Sequence, residues 1–114
     1  MAEHRIQQQI LAAIGATDGA LVWRNNTGAA RDGAGRLVRF GTPGAPDIMA
    51  IVGGQFVGLE VKSARGKLSK RQESWRKACE AAGGIYRVCR SVDDALAAID
   101  EARRRTCETR RSTS

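Results

Sequence analysis

The sequence predicts an α/β domain: a central mixed β-sheet flanked by helices, in the order α-β-β-β-β-α-β-α. Three observations point there. Apolar residues recur at helical spacing near both ends, as Ile6, Ile10, Leu11 and Ile14 and again as Val92, Ala95, Leu96 and Ile99. Two central runs, DIMAIV and QFVGLEVK, are apolar on both alternating faces, as expected of strands covered on two sides. A glycine pair, Gly53-Gly54, separates those runs by the length of a tight hairpin turn.

The chain of 114 residues suits one core. Residues 1–103 read as the domain, and 104–114, charged and hydroxylic, read as a disordered basic tail. No run reaches the ~18 apolar residues of a membrane span, and the N-terminus has no basic stretch followed by an apolar block, so a cytoplasmic protein is expected. Cys79, Cys89 and Cys107 cannot all pair and lack zinc-ligand spacing, so reduced thiols are expected. A net charge of +7 favours a polyanionic partner, and nucleic acid fits better than a membrane surface, because no lysine-rich amphipathic helix with bulky apolar anchors is present.

The first helix spans about Glu3 to Ile14, with Gly15 as its stop. Ala20–Arg24 reads as a strand, and the stretch from Asn25 to Gly35, rich in turn formers and poor in apolar side chains, reads as a loop. Strand character resumes over 36–40 until Pro43 and Pro46 interrupt it. The glycine hairpin follows. Ser69-x-x-Gln72 has the form of a capping box, opening a helix that runs to Ala82 with Trp75, Cys79 and Ala82 on its inner face. Trp23 and Trp75 both sit in apolar-periodic segments and read as core residues instead of base-stacking platforms. IYRVC forms the last strand, and Ser91 with Asp93 and Asp94 caps a final helix packed through Val92, Ala95, Leu96 and Ile99.

The hairpin turn sets a register. With a two-residue turn Val52 faces Gln55, and each further pair follows in step until Asp47 faces Glu60. Facing side chains have Cβ atoms ~4.5–5.5 Å apart and residues two apart share a face, so Lys62 joins the same side. Two facing carboxylates repel unless a positive charge lies between them, and such oxygen donors suit Mg²⁺ or Mn²⁺. An ion there could bind a phosphodiester oxygen and acidify a water, with Lys62 placed to position or polarise it. Read structurally, Glu60 and Lys62 could be surface residues of an exposed strand. The E-x-K triplet alone is weak; the Pro46-Asp47 step, the glycine turn, the apolar flanks and the register together favour a site.

The segment RFGTPGAPDIMAIVGGQFVGLEVKSARGKLSKRQ resembles the core of the VRR-NUC family of PD-(D/E)xK nucleases, and the resemblance extends from Glu3 to about Ile99. It implies a restriction-endonuclease-like core and a metal-dependent endonuclease that hydrolyses DNA phosphodiester bonds. The resemblance also implies branched substrates of the flap or Holliday-junction type and a stand-alone homodimer. Asp47 and Glu60 map onto the metal-holding positions, with Glu3 and the Val61 carbonyl as further ligands. Lys62 maps onto the catalytic lysine and Gln72 onto a further catalytic position. Glu3 is equally explained as a first-turn carboxylate at the positive end of a helix, and Gln72 as the closing member of the capping box.

From Lys62 to Lys77 there are seven basic residues against one acid, Glu73, an arrangement that suits a phosphate track through Arg65, Lys67, Lys70 and Arg71. Asn25 and Asn26, in a polar segment that resembles one of the same family, join them as candidate nucleic-acid contacts, with simple turn chemistry as the alternative. Two rivals to an enzyme remain: a non-catalytic nucleic-acid-binding module with the same fold, and a structural basic protein of an assembly.

Overall fold

The computed structural model of the chain describes residues 2–25 and 28–112, with side chains described over 3–25, 30–37 and 41–108. Its elements are α1 (Ala2–Gly15), β1 (Ala20–Arg24), β2 (Gly28–Arg31), β3 (Leu37–Phe40), β4 (Ile48–Val52), β5 (Gln55–Val61), α2 (Lys70–Ala81), β6 (Ile85–Cys89) and α3 (Val92–Ser112). A four-stranded sheet has the order β1-β4-β5-β6, antiparallel except for the parallel pair β5–β6. This is the mixed α/β fold the sequence predicts.

The expected hairpin is present. Val52 pairs with Gln55 and Ile48 with Leu59. Gly53 and Gly54 have φ of 58° and 88°, the positive values that a type I′ turn needs at both central positions.

Alternation along the strands sorts the residues between two faces. On one face Ile48, Ala50 and Val52 of β4 and Val57, Leu59 and Val61 of β5 are buried against Ile10 and Ile14 of α1 and Ala98, Ile99 and Ala102 of α3. Fully burying an aliphatic side chain of this size stabilises by ~1.5–3 kcal/mol, so this layer holds the sheet in place. The other face is covered only in part. The α2 helix packs on the β6 side, where Trp75 lies 6.2 Å from Phe56 and 5.9 Å from Tyr86, centroid to centroid.

Four expectations change. The stretch from Asn25 to Gly35, expected as loop, contains β2, which pairs with β3 in a separate two-stranded ribbon. Gly-Ala-Ala carries little apolar signal, and the strand exists through its partner and through a turn in which Asp32 Oδ1 accepts the N–H groups of Ala34 and Arg36, each at 2.9 Å. Trp23, expected in the core, is 38% exposed, and Leu21 and Ile51 beside it are exposed too, because among the described residues no helix covers the β1–β4 half of that face. Leu96 is also exposed, and the small side chains Ala98 and Ala102 take the inner positions of α3. Finally, α3 continues past Arg103, where a disordered tail was expected. Arg103 donates to the Asp18 carbonyl at 2.5 Å, Arg105 pairs with Glu101 one turn back, and Thr106 lies against Gly53. Tertiary contact thus supplies what the composition of 104–108 lacks.

Candidate active site

The strand directions bring the C-terminal ends of β1, β5 and β6 and the N-terminal end of β4 to one edge of the sheet. Asp47 directly precedes β4 and Glu60 is the penultimate residue of β5. Continuing the observed register by one step places them opposite each other. Asp47 Oδ2 accepts the Val61 N–H at 2.9 Å, so the carboxylate is held to the neighbouring strand by its own hydrogen bond. Lys62 Nζ lies 3.7 Å from Glu60 Oε2, with both side chains largely buried. The three residues expected to converge do so.

Glu60 is the one charged side chain among the buried described residues, 3% exposed, and its Oε1 has no hydrogen-bond partner among them. Burial pushes its carboxyl up to about 8, helped by the facing Asp47 carboxyl and by the charge of Glu3, while Lys62 pulls it back only in part. In the metal-free protein a proton on Glu60 therefore relieves the repulsion near neutral pH. A cation can do the same. The closeness of Asp47 to Glu60, the unused Glu60 oxygen and the all-oxygen donor set fit a hard divalent ion. Among the described residues no group of three His, Cys, Asp or Glu side chains comes together, so Glu3 acts on Glu60 through its charge without joining a cluster.

Other expected residues fall around this pair. Val61 turns its side chain into the core and gives its N–H to Asp47. Gln72 completes the capping box: its Oε1 accepts the Ser69 N–H at 2.8 Å, while Ser69 Oγ accepts the Gln72 N–H at 3.2 Å, leaving the Gln72 side-chain NH₂ to donate elsewhere. Arg65, Lys67, Lys70 and Arg71 are exposed along the segment that follows Lys62. Asn25, expected as a nucleic-acid contact, is tied to the site by its own hydrogen bonds: its N–H donates to the Asp47 carbonyl at 2.8 Å and its Nδ2 to the Pro46 carbonyl at 3.0 Å, stapling the start of β4 to the end of β1. Asn26 lies outside the described residues.

Gly58 is a further residue that sequence reasoning missed. A Cβ there would lie 2.7 Å from Pro46 Cγ, so the ring preceding Asp47 rests directly on the bare backbone of β5. Gly58→Ala should cost ~1–3 kcal/mol by overpacking and, by displacing Pro46, should reduce metal-induced thermal stabilisation. Thermal melts with and without Mn²⁺ check this. An unchanged metal shift would show that the Pro46–Gly58 contact does not set the position of Asp47.

No protein-family model matches the chain, and no curated protein matches it. A solved structure of a VRR_NUC domain is similar at a TM-score of 0.62 and 24% identity, over 88% of this chain and 96% of that one. The order of elements, the mixed sheet and the strand-end site described above therefore stand on a fold that the chain shares with that VRR_NUC domain.

Proposed function

We propose that the protein is a metal-dependent deoxyribonuclease that cuts phosphodiester bonds between Asp47, Glu60 and Lys62. One observation carries this reading: a buried carboxyl with an unused oxygen faces a second carboxylate beside a lysine, at a strand-end edge followed by a basic segment. The likeness to a VRR_NUC domain supports it. Asp47 and Glu60, with the Val61 carbonyl, are the residues that would hold Mg²⁺ or Mn²⁺. The ion, when bound, polarises a phosphate oxygen and makes water a better nucleophile. Lys62 orients the attacking water or the phosphate by its charge, the Gln72 NH₂ can donate to either, and Arg65, Lys67, Lys70 and Arg71 hold the DNA backbone.

We further place the protein in the cytoplasm as a homodimer acting on flaps or four-way junctions. The exposed apolar residues Leu21 and Trp23 of the edge strand β1 and Ile51 of the neighbouring β4 support a second copy there, and Cys79, Cys89 and Cys107 are free thiols. Among the described residues no helix is long and apolar enough to cross a membrane.

A cleavage panel tests the reading: single strand, duplex, flap and four-way junction with Mg²⁺, Mn²⁺ or EDTA. Metal-dependent cutting is expected, strongest on a branched form. Tight binding without cutting in any metal would instead identify a non-catalytic binding module. Lys62→Ala should keep its metal-induced melting shift but lose cleavage by ~10²–10³-fold, since the lysine acts on the reacting groups and not on the ion. Parallel measurements of melting and turnover separate these, and wild-type turnover in the variant would remove Lys62 from the chemistry.

A further inference from the structure

A groove of about 500 Å³ runs along the β6 edge, and Lys67, Arg76, Tyr86 and Arg90 are among the residues that line it. We propose that this groove is a phosphate subsite for the same nucleic-acid strand, holding the phosphate next to the one cut at Asp47, Glu60 and Lys62; the inference rests on the nuclease reading above.

Position is the first reason. Tyr86 pairs with Gly58 and Val88 with Glu60, so the inner wall of the groove lies one strand over from the carboxylate pair, ~4.8 Å in the sheet. Facing residues share a face, so Tyr86 and Val88 stand on the side of the sheet that carries Glu60. A strand bound at Glu60 thus reaches the groove without crossing the sheet.

Charge is the second reason. Lys67, Arg76, Arg87 and Arg90 line the groove with one lining carboxylate, Glu73, while Glu80 and Glu101 pair with Arg76 and Arg87 from outside it. Arg76 grips Glu73 at 2.7 Å and Arg87 grips Glu101 at 2.6 Å, which fixes the guanidinium planes while leaving further N–H donors on each. Arg90 Nη1 donates to the Ser63 carbonyl, so the rim of the groove is tied to the loop that directly follows Lys62.

The third reason is an unused donor. The Tyr86 hydroxyl is buried and has no hydrogen-bond partner among the described residues, a state that is costly unless something supplies an acceptor. A phosphate oxygen in the groove supplies one. Size agrees as well, since the volume falls in the range of small-molecule sites, ~300–1,000 Å³. An internal phosphodiester and a terminal phosphate share this chemistry, and an experiment can separate them.

The test measures binding of labelled oligothymidylates in EDTA by fluorescence anisotropy. One probe has a 5′-phosphate, one a 5′-hydroxyl, and a series carries a single neutral methylphosphonate at successive linkages. Wild type should bind about tenfold more weakly when one particular phosphate is neutralised, the scale of a charge-assisted hydrogen bond. That penalty should shrink to near nothing in Arg76→Gln and in Tyr86→Phe, the second of which keeps the buried ring and removes only its hydroxyl. A penalty at an internal linkage identifies a phosphodiester, and one confined to the 5′-phosphate identifies a terminal group. The proposal is overturned if both variants keep the full wild-type penalty, or if they weaken every probe equally. Failure of the nuclease reading looks different: wild type then cuts none of the DNA substrates in any metal. Cleavage without a groove-dependent penalty removes the subsite alone.

Discussion

Asp47→Asn should abolish metal-dependent cleavage while leaving the metal-free protein within about 1 kcal/mol of wild type, the scale of one cross-strand pair. The asymmetry follows from the geometry. Asn keeps a side-chain oxygen that can accept the Val61 N–H now held by Asp47 Oδ2, so the backbone donor is not orphaned. The substitution also removes the charge that opposes ionisation of Glu60, which offsets any loss in packing. What it takes away is half of the carboxylate pair that would hold the ion, and loss of charge stabilisation of this kind lowers turnover by ~10²–10³-fold or more. Because only a folded protein with both carboxylates binds the ion tightly, Mg²⁺ or Mn²⁺ should raise the melting temperature of wild type and raise that of Asp47→Asn much less. Asp47→Ala is the informative contrast: it leaves the Val61 N–H without its acceptor and should cost ~1–3 kcal/mol even without metal. Melts of the three proteins with and without metal, beside a nicking assay, read all of this. Equal metal shifts in wild type and Asp47→Asn would show that Asp47 is no ligand. A metal-free loss of several kcal/mol in Asp47→Asn would make its charge structural.

The second large effect is a pH dependence opposite in sign to that of an ordinary paired carboxylate. Burial and the neighbouring Asp47 push the Glu60 carboxyl up to about 8, against 4.5 in an unstrained chain. Between those values the folded protein holds a proton that the unfolded chain has released, so stability falls as pH rises through this window and levels off above it. Metal-free wild type should therefore be more stable at about pH 5 than at about pH 8.5, by an amount on the order of a few kcal/mol. Glu60→Gln, neutral throughout, should flatten the profile. The Cys89 thiol, pushed up to about 12 by burial, adds a downward slope of its own only above the ordinary thiol value of ~8.5, so the comparison belongs below that pH. Metal should reverse the trend, because binding expels the Glu60 proton and affinity grows with pH until the carboxyl is ionised. Urea unfolding of both proteins across the window, with and without Mn²⁺, makes the comparison. Parallel slopes in wild type and Glu60→Gln would mean that Glu60 does not carry the buried proton.

The placement of Asp47, Glu60 and Lys62 at one edge was legible in the sequence because local rules determine it. Gly53-Gly54 forces a tight turn, the turn sets the register, and the register brings Asp47 opposite Glu60 with Lys62 on the same side. The Ser69–Gln72 capping box was equally readable, since both of its partners lie within one helical turn. Each of these features is decided by residues close together in the chain.

What the sequence alone did not show depends on residues far apart. The strand over Gly28–Arg31 has almost no apolar signal and exists because β3 pairs with it. Trp23 reads as core in a period-2 pattern, yet lies on the surface because α2 covers only the β6 side of its face. The helix past Arg103 has the composition of a tail, and contacts to Asp18 and to the Gly53 turn make it structure. Asn25 and Gly58 gain their places from residues far away in the chain, Asn25 from the Pro46 and Asp47 carbonyls and Gly58 from the Pro46 ring. Residue pattern along the chain determined which groups could do chemistry, because turn geometry and strand alternation act over a few residues. Tertiary packing decided which of them are buried, paired or left with an unused donor, because burial depends on which distant element covers each face.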